Sequence, residues 1–276
     1  MTARPRASLG DVVAVEVTKA TRQASTFVML GIIVGYLVLL VFALASVLRM
    51  PEAAGASGAA AILTPLRTDA VGFVAEIVSG ISVIVIIVLA AQSVSQEFSR
   101  GTLRLLLVSR ARRVDVALGK LVLLALAAVV LSLVVAVGAV SGAAVFSAVT
   151  GEALLHVDAG SLATLALRSW IGIFTWAAIT LGVTLLTRSL GVGIGSTLGV
   201  LIAGDVLRGV LLGLGTVGLW ATRALPNTAI NALSGRAAIE TSAWAWIVPN
   251  LLVYVLGLNA VAIWKLQKLD VISATK

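Results

Sequence analysis

The stretch that decides the fold runs from Ser95 to Lys120 and reads SQEFSRGTLRLLLVSRARRVDVALGK. It separates two apolar runs, each of which is long enough to cross a bilayer. Because charged side chains and loop backbone are costly in hydrocarbon, this polar stretch must protrude on one side of the membrane. Its five arginines are typical of a cytoplasmic loop. We therefore expect a cytoplasmic hinge between two membrane spans.

The composition of the whole chain agrees with a membrane protein. The 276 residues are 60% hydrophobic and 12% charged, whereas a soluble domain has about 25% charged residues. The absence of cysteine excludes disulfides, thiol catalysis and cysteine metal sites. The net charge of +8 is interpreted as Lys and Arg retained on the cytoplasmic side, so no nucleic-acid partner is expected.

Six apolar runs predict an all-α integral membrane protein, with residues 1–276 forming a single transmembrane domain. Each run supplies the roughly 20 residues that a helix needs to cross the hydrocarbon core. With both termini in the cytoplasm, fourteen of the 20 Lys and Arg residues lie on the cytoplasmic side, and this bias sets the orientation. The predicted spans are Phe27–Leu48, Val71–Val94, Leu118–Val149, Ala166–Thr187, Leu190–Leu212 and Trp244–Trp264.

The segments between the spans give further predictions. Residues 8–25 have the apolar periodicity of an amphipathic helix, with Ser8 and Asp11 as a capping box. Such a helix lies either on the inner membrane surface or on the protein's own cytoplasmic ends, and the sequence leaves both open. Arg49–Ala70 and Thr150–Leu165 are interpreted as external connectors, and Gly213–Ala243 as a short amphipathic or re-entrant element before span six.

Span five combines small and charged residues. Small residues recur at every fourth position, which predicts a smooth face for close helix packing, at Gly191, Gly195, Gly199 and Ala203. Asp205 and Arg208 are costly inside a membrane, and their spacing permits a mutual ion pair. Two interpretations stay open. The pair lines a translocation path, together with Glu76 of span two, or it only fixes the rotation of its helix.

Catalytic signatures are missing from the sequence. The single histidine, His156, falls in an external loop without an acidic or second histidine neighbour. The sequence has no Walker A motif, no H-E-x-x-H and no G-x-S-x-G. We therefore do not expect an enzyme, and any ATP-driven action requires another polypeptide.

The hinge itself predicts a docking element. Gly101 is expected to end the helix that continues from span two, and the following residues predict a short helix with an apolar stripe beside two arginines: Leu103, Leu106 and Leu107 with Arg100 and Arg104. A loop that only touches anionic lipid would explain the arginines. It would not explain the leucine stripe or the acidic Glu97.

The pattern of the hinge resembles ABC-2-type transporter permeases, the membrane subunits of ATP-binding-cassette exporters. The residues that carry the resemblance are Glu97, Gly101-Thr102-Leu103, Leu106-Leu107, Ser109-Arg110 and Leu118-Gly119-Lys120. The resemblance extends over the whole chain, from the N-terminal surface helix to the tight turn at Thr187-Arg188-Ser189 and the element before span six. One departure is Val108-Ser109, because a proline commonly precedes the Ser-Arg pair in that family.

The resemblance implies a half-transporter in a bacterial cytoplasmic membrane. Two permease copies or homologues would pair, with two cassette ATPase subunits below them and the substrate path between the halves. Residues 95–117 would form the coupling segment, with the ATPase contacts at Glu97, Arg100, Gly101, Thr102, Leu103, Arg104, Leu106 and Leu107. ATP and Mg would be bound by the ATPase and no cofactor by this chain. The implied action is export of an amphipathic, drug-like or lipid-like substrate.

The alternative function is a secondary transporter or channel that needs no ATPase. This class predicts an ion-coupling site near the bilayer midplane and inverted repeats. Spans one to three and four to six show no convincing repeat, and only Asp205 and Arg208 are expected to lie deep.

Overall fold

The computed structural model describes residues 9–48, 57–99, 113–151, 158–233 and 241–267, and these residues are helical throughout, apart from short turns. We number the helices in chain order. They are α1 Leu9–Arg22, α2 Ala24–Leu48, α3 Ser57–Ser99, α4 Arg113–Thr150, α5 Ala159–Thr187, α6 Leu190–Leu212, α7 Gly215–Arg223, α8 Pro226–Leu233, α9 Thr241–Leu252 and α10 Leu258–Gln267, with a π-helical turn at Val253–Gly257 between α9 and α10.

The six predicted spans are confirmed as helices long and apolar enough to cross a membrane. Within the described residues they are Ala24–Ser46, Thr64–Gln96, Val114–Thr150, Ala159–Thr187, Leu190–Leu212 and Ser242–Lys265. Helix α4, with 38 residues, is about 57 Å long, well beyond the roughly 30 Å of a hydrocarbon core. The fold therefore indicates a multi-pass membrane protein.

Successive spans alternate in direction, so the bundle has two ends that we name by their helices. The α1 end carries α1, the end of α3 and the start of α4. The α8 end carries α7, α8 and the start of α3. Helices α3, α4 and α5 form the centre of the bundle, with Val78, Ile86 and Leu181 fully buried. Helices α2 and α6 lie at the periphery, where most of their side chains are exposed.

Buried hydroxyl groups in α5 do not leave polar atoms unsatisfied. Thr175, Thr180 and Thr184 are each at most 1% exposed. Each hydroxyl donates to the backbone carbonyl four residues earlier, over 2.7–2.8 Å. Because this bond is internal to the helix, the hydroxyls are accommodated in an apolar core without any partner on another helix.

The prediction that Arg49–Ala70 is a connector is wrong for residues 57–70. Helix α3 already begins at Ser57, and a kink at Asp69 (φ −154°, ψ 80°) separates the first segment from the membrane-spanning part. The Asp69 carboxylate accepts the Gly72 backbone N–H over 3.0 Å, which caps the second segment. Asp69 therefore starts a new helical segment inside the predicted connector.

The second predicted connector, Thr150–Leu165, is also shorter than expected. Helix α4 continues to Thr150, and α5 begins at Ala159 rather than near Ala166. The reason is Asp158, whose carboxylate accepts the backbone N–H of Ser161 over 2.6 Å and caps α5. His156 lies outside the described residues.

The tight turn between α5 and α6 is confirmed. Arg188 adopts a left-handed conformation (φ 55°), and its backbone N–H donates to the Thr184 carbonyl over 2.7 Å. The Ser189 hydroxyl then accepts the Val192 N–H over 3.4 Å and starts α6. Two residues thus reverse the chain and hold two spans side by side.

The short element predicted before span six is present as α7 and α8. Ala229 and Leu233 of α8 pack against Ile247 and Leu251 of α9. Residues 234–240 of the predicted element lie outside the described residues.

Hydrogen bonds from span six fix the turn between α7 and α8. The Asn250 amide donates to the Arg223 carbonyl over 2.7 Å, and the Tyr254 hydroxyl donates to the Ala224 carbonyl over 2.9 Å. The Arg223 guanidinium lies 4.7 Å from the ring centre of Trp220 and 5.7 Å from that of Trp246, a cation–π arrangement.

Candidate functional site

The residues predicted to contact an ATPase lie mostly outside the described part of the chain. Residues 100–112 are not described, and of Glu97 only the backbone is, in the last turn of α3. The description of α3 stops at Ser99, so the helix break predicted at Gly101 lies outside the described residues. Both flanks of the hinge are described, however, and they meet at one buried lysine.

Lys120 connects three helices at the α1 end. Its side chain is 2% exposed, and its ammonium donates over 2.7 Å to the Ser93 carbonyl of α3. It also lies 3.2 Å from Oε2 of Glu16 on α1. The other oxygen of the Glu16 carboxylate, Oε1, lies 3.2 Å from the Lys19 ammonium. We call Glu16, Ser93 and Lys120 the Lys120 junction.

Helix α1 lies over this junction because it packs closely against α4. Val12 of α1 contacts Gly119 of α4 so closely that a Cβ on Gly119 would lie 2.8 Å from Val12 Cγ1. This close approach brings Glu16, one turn further along α1, beside Lys120. Of the two interpretations of this helix, packing on the protein's own helix ends is therefore the one that the contacts support.

Sequence reasoning named Lys120 but missed Glu16. The signal was present, because Glu16 lies on the same face of the helix as Val13 and Ala20, where an acidic residue is out of place. A buried carboxylate at such a position needs a cationic partner. The partner is 104 residues further along the chain, so only the fold could identify it.

Asp205 forms a second polar cluster, near the α8 end. Its Oδ1 accepts the side-chain amides of Asn231 over 3.1 Å and Asn227 over 3.3 Å. The Asn227 amide also donates to the Leu201 carbonyl over 2.6 Å. A Cβ on Gly204 would lie 2.6 Å from Asn227 Cγ, so glycine at this position allows the close contact between α6 and α8.

The ion pair that the spacing of Asp205 and Arg208 permits does not form among the described residues; the carboxylate accepts hydrogen bonds from asparagines of α8 instead. Two side-chain amides of α8 lie within hydrogen-bond distance of this carboxylate and take the place of the arginine. Asp205 is exposed and Arg208 partly buried on the surface of the single chain.

Glu76 of α3 and Asp205 of α6 have similar positions within their own helical segments. Each is seven residues from an end of its helical segment, Asp69 and Leu212 respectively, which is about 10 Å along the helix axis. Helices α3 and α6 are in contact, and both carboxyl side chains are exposed on the single chain. Two of the three predicted pathway residues thus lie on adjoining helices.

The predicted small-residue face of α6 points away from the bundle. Gly191, Gly195 and Gly199 are exposed, and a Cβ on any of them would meet nothing within 4 Å. The buried face of the same helix carries Gly193 and Thr197. The face that the sequence predicts for close helix packing therefore has no partner helix within the described chain.

The described residues contain no group of three or more His, Asp or Glu side chains arranged to hold a metal ion.

Six helices long and apolar enough to span a membrane, three of which form the centre of the bundle, define the class as a polytopic membrane protein. The chain belongs to a family whose sequence model is described as 'Protein of unknown function (DUF2705)'. This model matches residues 37–272 of the chain. The matched range covers Ser93, Lys120 and Asp205 and begins after α1. Among curated proteins, none matches this chain.

Proposed function

We propose that this chain is the permease subunit of an ATP-binding-cassette transporter of the ABC-2 type. It would form half of a path for ATP-driven export of an amphipathic, drug-like or lipid-like substrate. A separate cassette ATPase, which carries the ATP and Mg, would drive it. The observation that carries this proposal is the Lys120 junction, which joins both flanks of residues 100–112 to each other and to α1.

The junction supports coupling for a mechanical reason. A force applied to residues 100–112 reaches the bundle through the end of α3 and the start of α4. Because Lys120 bonds to the Ser93 carbonyl and pairs with Glu16, the two flanks move together with α1 rather than independently. A partner that displaces the hinge would therefore shift spans two and three as a unit. Such a shift is needed if the substrate path is to open alternately to the two sides of the membrane.

The surface of the single chain supports pairing with a second permease. An ionisable group facing lipid costs about 2.5–3.5 kcal/mol at a helix centre on insertion scales, so Glu76 and Asp205 need water or protein in front of them. The uncovered glycine face of α6 allows close approach by another helix. A second copy beside α6 would cover the glycines and leave both carboxylates on a water-filled path.

The α8 end supports a re-entrant element above this path. Asn227, at the start of α8, contacts Leu201, which lies eleven residues before the end of α6. Eleven residues correspond to about 16 Å along the helix axis. In the proposed orientation α7 and α8 fold back into the outer half of the membrane, and both termini lie in the cytoplasm.

The first test removes the acidic residue at the hinge. We expect Glu97→Ala to leave membrane insertion intact and to weaken association with the cassette ATPase at least tenfold, about 1.4 kcal/mol. The reason is that truncation of one partner of a charge pair at an interface leaves the other charge unpaired. The measurement is the ATPase activity that co-purifies with the tagged chain from its native membranes.

Glu76→Ala is the matched control, because it removes the same side chain from the same helix at the opposite end. It is expected to retain the co-purifying ATPase. Wild-type amounts of ATPase activity with Glu97→Ala, at equal expression, would count against the coupling role of the hinge.

A further inference from the structure

A cavity of about 220 Å³ lies beside the Lys120 junction, between α1, α3 and α4. Its volume corresponds to roughly seven waters at about 30 Å³ each. The side chains of Gln23 and Gln96 close one side with a hydrogen bond from Nε2 of Gln23 to Oε1 of Gln96 over 3.1 Å. The cavity sits where α1 ends and the first apolar span begins, the level at which lipid headgroups meet the hydrocarbon core.

The wall of the cavity changes from polar to apolar along its length. Glu16 and Lys19 of α1 line the end at the membrane boundary, and Leu89, Leu123 and Ala127 line the part further along the spans. A free polar metabolite would leave the apolar part unused. A lipid matches both parts, with its headgroup at α1 and the start of an acyl chain along the leucines.

One acceptor in the polar wall has no donor from the described chain. Gln92 lines this cavity, and its Oε1 atom is buried and receives no hydrogen bond from the described residues. A buried acceptor without a donor costs about 1–3 kcal/mol. Glu16 adds a carboxylate to the same wall, and Lys19 adds an ammonium suited to a phosphate.

We propose that this cavity binds a phospholipid of the leaflet that contains α1, and that the headgroup carries hydrogen-bond donors, as ethanolamine and glycerol headgroups do. The phosphate lies at Lys19, and the ammonium or hydroxyl of the headgroup donates to Gln92 Oε1. A choline headgroup has no N–H or O–H donor and cannot make this bond. The proposal does not depend on the ATPase, so it stands or falls separately from the transport function.

The test compares three phospholipids with identical acyl chains, added to the delipidated full-length protein in detergent. Phosphatidylethanolamine and phosphatidylglycerol are expected to raise the thermal unfolding midpoint by about 5–10 °C at a hundredfold excess over Kd. Phosphatidylcholine is expected to raise it by less than half as much. Free phosphoethanolamine and glycerol 3-phosphate, which lack acyl chains, are expected to have no effect.

Two variants in the cavity and one control variant outside it locate the effect. Gln92→Leu removes the unsatisfied acceptor, so the difference between the ethanolamine and choline lipids should disappear. Gln267→Leu, the same substitution at an exposed position outside the cavity, should keep that difference. Ala127→Leu fills the apolar part and should abolish stabilisation by all three lipids, which provides a second readout if Gln92→Leu folds poorly.

Three outcomes would overturn the proposal. Equal stabilisation by all three lipids would indicate only a general effect of the lipid shell. No stabilisation by any lipid would mean that water fills the cavity. An equal shift with the free headgroups would assign the cavity to a soluble phosphate compound instead of a lipid.

Discussion

Replacement of Lys120 by alanine is expected to lower the free energy of unfolding by about 3–5 kcal/mol. The ammonium is 2% exposed and joins α4 to Glu16 of α1 and to the Ser93 carbonyl of α3. Its removal leaves the Glu16 carboxylate, whose side chain is 6% exposed, buried without its interhelical partner. The measurement is the unfolding curve of the purified protein in mixed micelles with increasing fractions of a denaturing detergent.

Two further variants separate the buried pair from general loss of charge. Lys19→Ala removes a lysine that also pairs with Glu16 but is 38% exposed, so it should cost about 1 kcal/mol or less. The double variant Glu16→Leu with Lys120→Met replaces the pair by apolar side chains of similar size and should recover most of the lost stability. Equal small losses for Lys120→Ala and Lys19→Ala would show that Lys120 does not hold the helices together.

The second large effect concerns two glycines of α6 that lie two residues apart on different faces. Gly193→Leu is expected to destabilise the single chain by about 3 kcal/mol, because overpacking a tight contact forces the helices apart. Even a Cβ at this position would lie 3.1 Å from Thr184 Cβ, within the α5–α6 contact. Gly195 faces open space, so Gly195→Leu should change the stability of the single chain by no more than about 0.5 kcal/mol.

The same pair of variants tests the proposed pairing of permeases. Gly195→Leu should convert a dimer into a monomer, measured as the protein mass in detergent by light scattering, because a leucine blocks the close approach that the glycine face allows. A dimer that survives Gly195→Leu and Gly199→Leu would place the interface elsewhere. A monomeric wild-type protein would contradict the pairing itself.

The spans could be predicted because their signal is local. An apolar run of about 20 residues has few alternatives to a membrane helix, and all six runs appear as helices within a few residues of the predicted ends or longer. The helix starts at Ser57 and Ala159 were not predicted. Asp69 and Asp158 stand in polar stretches, where an aspartate that caps a helix cannot be told from an aspartate in a loop by sequence alone.

The polar clusters could be predicted only in part because their partners are distant in sequence. Glu16 pairs with Lys120 across 104 residues, and Asp205 binds amides 22 and 26 residues later. The sequence singled out Asp205 as costly and Lys120 as part of the hinge pattern. The sequence suggested Arg208 as a possible partner of Asp205, because residue spacing identifies only partners on the same helix.

The most direct test of the central claim is a cross-link from the hinge to a nucleotide-hydrolysing partner. The chain has no cysteine, so Thr102→Cys introduces a single thiol into residues 100–112. Ala159→Cys, an exposed position at the α8 end, is the matched control. Cross-linking in native membranes, followed by mass spectrometry of the product, is predicted to join Thr102→Cys, but not Ala159→Cys, to a subunit with a Walker A motif. Labelling of Thr102→Cys by a membrane-impermeant thiol reagent from outside intact cells, with no such cross-link, would contradict the account.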